Sequence, residues 1–260
     1  LVYNFTYTFI PHDSVHYLPL HAHIGIIGWF LLLVIGVGSR LIPMFLISKY
    51  KNTKLLWAIY ILINVALLSF ILIFYFLPIT LSFIPNILLL TSIFLFIYYC
   101  YAAYKQRIRK QVDEQVKLSL LSTLLMAIPI ILLFIIIAVF VKKEAVNYHE
   151  TIAYGFVIFF GWITAIILGM TFKTMPFIVW NKNYHKRSSM GKTPNPKDLF
   201  SNIVFKWMAI AYLLGFAVFL IGLLIPNSLL LKPGAALLLI AAVLYNWNVF
   251  KMLYHKPEKK

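Results

Sequence analysis

The chain has 260 residues, 62% of them hydrophobic and 12% charged, with a mean hydropathy of +0.90. A soluble domain of that composition would expose more apolar surface than it could bury, so a polytopic membrane protein is the class that remains. The net charge of +16 invites a nucleic-acid partner, but the cations gather in alternate loops, which excludes that reading in favour of membrane orientation.

Residues 1–16 form a polar, extracytoplasmic lead-in that holds His12 and His16 and shows no basic region followed by an apolar core, so no signal peptide is visible. Seven apolar stretches come next, near 17–47, 55–76, 86–104, 118–141, 151–180, 204–226 and 233–253, each long enough to cross a bilayer as a helix. The predicted fold is therefore an all-α polytopic bundle, with a membrane domain over 17–253 and a cytoplasmic tail over 254–260. Lys49, Lys51 and Lys54 follow the first stretch, Lys105 to Lys117 the third and Lys182 to Lys197 the fifth, and Lys251 to Lys260 close the chain. With seven spans these loops share one side, which predicts an outside N-terminus and a cytoplasmic C-terminus in the cell membrane.

The first stretch carries the chemistry. In HAHIGIIGWFLLLVIGVGSRLIPMF, His21 and His23 stand at one end of a transmembrane run, where ionisable side chains are costly and mark function. Arg40 lies about 28 Å farther along the helix, near the other interface, where it and its counterpart Lys173 read as snorkelling anchors. The i, i+2 spacing sets the two imidazoles about 200° apart, so they suit two separate centres rather than one chelated ion. Both are the candidate cofactor-binding and metal-ligating residues. His16 and His12 read as interfacial hydrogen-bonding groups, and His149 as a helix cap or interfacial anchor.

An offset of 133 residues lays His149–Ile178 on His16–Phe45 without a gap. His16, Gly28, Trp29, Gly36 and Pro43 meet His149, Gly161, Trp162, Gly169 and Pro176, and Arg40 meets Lys173. Since four spans fit in the offset, the chain reads as a four-helix repeat with units 16–148 and 149–253. Ala22, Trp29, Gly36 and Pro43 recur every seven residues, as do Gly155, Trp162, Gly169 and Pro176, which predicts a small-residue seam facing another helix in each copy, with His21 and His23 to either side of the first. In the second copy Tyr154 and Phe156 replace the two histidines.

The H-x-H pair followed by Gly25, Gly28, Trp29 and Pro43 resembles the tenth helix of subunit I in haem-copper oxidases, most nearly the cbb3 type. The resemblance spans about 25 residues and implies haem on either side of the helix, with His21 and His23 as axial ligands; copper is the lesser implied cofactor. The family's three arcs of four helices are similar to the repeat here. They imply that five N-terminal helices, or other membrane subunits, complete the assembly within the lipid bilayer. The sequence has no His-His dipeptide and its second span no histidine, so the resemblance implies haem ligation rather than a complete dioxygen-reducing centre. All seven acids lie in loops or at span ends, which argues against proton pumping.

The leading functional expectation is a haem-binding, haem-copper-oxidase-like membrane protein in electron transfer or diatomic gas handling. The alternative is a non-enzymatic membrane module that binds a metal or partner at the outer face; a transporter is weaker, because no charge or broken helix marks a substrate path. Whether the chain turns over a substrate is left open. Cys100 reads as a small packing residue, and Pro129 should kink the fourth span.

Overall fold

The computed structural model describes residues 15–143, 148–184 and 193–255. His12, most of the lead-in, the centre of the 181–200 loop and most of the C-terminal tail lie outside the described residues. Among the described residues there is no β-strand, and seven helices are long and apolar enough to cross a membrane. They are span one, Leu18–Leu46; span two, Thr53–Phe76; span three, Ile79–Lys105; span four, Glu114–Lys142; span five, Tyr148–Tyr184; span six, Asn202–Leu224; and span seven, Ser228–Leu253.

Short polar residues start the spans. The side chains of Asn52, Ser201 and Asn227 accept hydrogen bonds from the amides of Leu55, Val204 and Leu229, satisfying donors that a helix start leaves without partners. Span four breaks at Met126, between Glu114–Leu125 and Ala127–Lys143. The cause is Pro129, whose ring cannot sit against the carbonyl four residues back, that of Leu125. Pro176 lies eight residues inside span five, which continues to Tyr184 rather than ending near the proline.

The chain divides into two compact units. The first comprises Leu1–Met44 and Lys49–Gln106, and the second Phe45–Ser48 and Arg107–Lys260. In the first, spans two and three form a hairpin and span one packs on both: the Tyr99 hydroxyl donates to the Ser39 carbonyl at 3.0 Å. In the second, spans six and seven form the tightest hairpin, because Gly215 and Gly234 let the backbones of Leu238 and Phe219 come close. Asn248, fully buried, accepts from the Ser201 amide at 2.8 Å and donates to its carbonyl at 3.0 Å, fixing the start of span six to span seven.

Spans one and five share a backbone feature that residue preferences do not announce. Span one passes from α-helix at Leu18–His23 into a π-helical segment, Ile24–Leu31, and returns to α-helix at Leu32–Leu46. Span five does the same, with its π segment at Val157–Ile163. The 133-residue offset carries Ile24 onto Val157, so both wide segments begin at equivalent positions, directly after His23 and Phe156.

The expected heptad seam holds in span five, where Trp162, Gly169 and Pro176 are buried, and not in span one. Trp29 is 68% exposed, and a Cβ on Gly36 would meet nothing within 4 Å, whereas Pro43 is buried. The buried line of span one instead runs through Leu31, Ile35, Gly38, Ile42 and Leu46, at helical spacing that starts where α-geometry resumes.

Candidate functional site

His21 and His23 occupy the last turn of α-helix before the π segment. Their surroundings differ. His21 is exposed, while His23 is half-buried against span two, its ring 4.9 Å from that of Phe70. Nδ1 of His23 lies 2.7 Å from the Pro19 carbonyl oxygen. A carbonyl only accepts, so Nδ1 carries the proton and Nε2 is the basic nitrogen. Proline at 19 sits in the first turn, where its missing N–H costs no hydrogen bond while its carbonyl remains available to the i+4 side chain.

His16 lies one turn earlier, exposed, with its ring 5.1 Å from Tyr17 and 5.4 Å from Phe74. His149, in the first turn of span five, contacts Tyr148 at 3.8 Å between ring centroids. Among the described residues no group of three His, Cys, Asp or Glu side chains comes together that could hold a metal ion. The arrangement thus offers separate imidazoles, each able to take one axial position on a haem iron, rather than a polydentate cage.

In span five the position of His23 is covered by aromatic rings. Phe156, at the position of His23, stacks on Phe160 and Phe216 and lies 4.7 Å from Phe219. The Tyr212 hydroxyl reaches the carbonyl oxygens of Phe160 and Gly161 at 2.7 and 2.6 Å, and Thr164 donates to the Phe159 carbonyl at 2.7 Å. These bonds satisfy carbonyls of the widened segment, the groups that a π turn displaces from α-helical pairing.

A second polar centre, missed in the sequence, lies at the basic end of the second unit. Asp113, just before span four, binds Lys173 at 2.7 Å, Lys197 at 2.6 Å and Arg109 at 3.5 Å. Partial burial alone would raise its pKa, but the hydrogen bonds and charges of Lys173 and Lys197 outweigh that and hold the carboxyl at about 2. Lys173 does not snorkel freely toward the interface: its side chain is only 12% exposed, and its ammonium also lies 5.2 Å from the Phe45 ring centroid. The available signal was a lysine kept opposite Arg40 across the repeat, within an apolar run that obliges it to find a partner.

No protein-family profile matches the chain, and neither a curated protein nor a solved structure is detectably similar to it. Fold and composition define the class by themselves: this is an all-α, multi-pass membrane protein.

Proposed function

We propose that the chain is a haem-binding, haem-copper-oxidase-like membrane protein that passes electrons or handles a diatomic gas, with His21 and His23 as axial ligands. The observation that carries the reading is the 2.7 Å contact from His23 Nδ1 to the Pro19 carbonyl. A hydrogen bond from the far ring nitrogen fixes the tautomer, orients the ring and raises the basicity of Nε2, the support that histidine ligands generally receive. Phe70 restricts rotation of the same ring from the side of span two. His21, on the exposed side, would serve a second centre.

Haem iron, when bound, supplies one-electron chemistry or reversible ligation of a diatomic gas. The protein's part is to hold the imidazole aimed through its Nδ1 hydrogen bond, and to keep the apolar wall of span two against it. Helices beyond the seven spans, or another membrane subunit, would supply the opposing ligands. Copper has less support, because among the described residues no three metal-ligating side chains come together near the histidines. The cation distribution supports an outside N-terminus and a cytoplasmic C-terminus in the cell membrane.

Optical spectroscopy of the purified chain tests the ligands. A Soret band should be present, and His23→Ala should shift or abolish it, with His21→Ala affecting a separate component. Protein without a Soret band, or spectra unchanged in both variants, overturns the reading; bound metal without haem would favour the metal-binding module. For orientation, an impermeant thiol reagent applied outside should label Thr80→Cys and miss Gln111→Cys in a Cys100→Ser background.

A further inference from the structure

The basic end of the second unit holds a cavity of about 310 Å³, walled by Arg109, Asp113, Lys173, Lys197 and Lys206. Beside it a groove of about 380 Å³ runs between spans four and six. Glu114 and Lys206 line both, so the two spaces meet at a shared rim. Their walls differ in character. Beyond Glu114, Lys117 and Lys206, the groove is made of Leu118 and Leu121 from span four and Phe205, Ala209, Ile210 and Leu213 from span six. Phe205, Ala209 and Leu213 lie at i, i+4 and i+8, a line about 12 Å long down one helix face into the apolar part of the bundle.

The charges around the two spaces do not balance. Among the described residues, Arg109, Lys117, Lys173, Lys197 and Lys206 face two carboxylates, Asp113 and Glu114, leaving a net charge of +3. Asp113 already serves three cations and Glu114 is occupied by Lys117 at 3.0 Å. Lys206 is exposed and forms no salt bridge among the described residues. The cations are also gathered in advance, since one carboxylate draws Arg109, Lys173 and Lys197 to a common point. A cationic recess opening onto an apolar slot between transmembrane helices has the shape and charge of one kind of ligand.

The geometry points to a binding site for an anionic phospholipid, its phosphate held by Lys197, Lys206 and Arg109 and an acyl chain lying in the groove between spans four and six. A zwitterionic lipid would bring a second positive charge into surroundings that already carry an excess, so phosphatidylglycerol is selected over phosphatidylcholine. A free phosphate would use the recess and leave the groove empty, which separates the two sources of the same chemistry.

Lipid retention on the purified full chain, read by native mass spectrometry, tests the site with phosphatidylglycerol and phosphatidylcholine as probes. Phosphatidylglycerol should bind more tightly. Lys206→Gln should weaken it about fivefold, and Lys197→Gln with Lys206→Gln about twenty-five-fold, with no loss for phosphatidylcholine. Ala209→Phe fills the slot without touching a charge and should also weaken phosphatidylglycerol. Lys206→Gln changes only an exposed side chain outside the salt bridges, so its effect is read on folded protein. Equal retention of the two lipids overturns the proposal, as does unchanged retention in the double variant. Inorganic phosphate binding that survives Ala209→Phe, with lipid retention also unchanged, would replace it with a free-anion site.

Discussion

Trp29 and Trp162 stand at the same place in two copies of one helix, yet Trp29 is 68% exposed and Trp162 is 3% exposed. The glycines seven residues on repeat the contrast. Gly36 meets nothing, whereas a Cβ on Gly169 would strike the Ser119 hydroxyl and lie 2.8 Å from the Gln115 carbonyl oxygen of span four. Arg40 is exposed and forms no salt bridge among the described residues, while Lys173 is clasped by Asp113. Span five is thus the framework copy, closed by spans four and six. Span one keeps the π segment, but its histidines replace the Tyr154 and Phe156 of the closed copy. Spans one and five share aligned residues and a π segment at equivalent positions, and their neighbours decide which is covered and which leaves polar groups open.

The widest separation between the copies is expected at the tryptophans. Trp162→Ala should cost about 3–5 kcal/mol in thermal unfolding of the detergent-solubilised protein, whereas Trp29→Ala should stay within about 0.5 kcal/mol. Comparable losses at both would break the distinction between a sealed and an open copy.

Asp113→Asn should be next, at about 2–3 kcal/mol, since it leaves Lys173 largely buried without its carboxylate. Arg40→Gln should cost nothing measurable. The pH dependence has a defined sign. The carboxyl pKa falls from 3.8 to about 2 on folding, so its contribution is complete above about pH 4 and is lost as pH drops toward 2. An acid midpoint identical in wild type and Asp113→Asn would remove the ion pair from the account.

Gly169→Ala should destabilise by about 1–3 kcal/mol through its collision with span four, and Gly36→Ala should be neutral or slightly stabilising. Tyr212→Phe should give the smallest loss, about 1 kcal/mol, by removing the hydroxyl that reaches the Phe160 and Gly161 carbonyls. Hydrogen exchange at the span-five π segment should rise in that variant and leave the span-one segment unchanged; equal rises in both would show that Tyr212 does not brace its own copy.

Composition and apolar run length determined the class, the seven spans and their approximate bounds, because a bilayer leaves few ways to satisfy twenty consecutive backbone amides in apolar surroundings. Pro129 announced the break in span four for a similarly local reason, and the 133-residue offset was legible because aligned glycines, tryptophans and prolines survive in the letters. His21 and His23 were legible as candidates by their cost in an apolar helix, although their unequal surroundings were not. The heptad seam was legible in span five, where Trp162, Gly169 and Pro176 are buried, and failed in span one although both spans carry a π segment, because the covered face is set by the packed neighbours. Which glycine faces a helix, which tryptophan is buried and which cation meets Asp113 depend on spans distant in sequence. The pairing of Lys173 with an aspartate 60 residues away is decided only when spans four and five come together, since the letters the two segments share carry no record of the neighbours that will cover them.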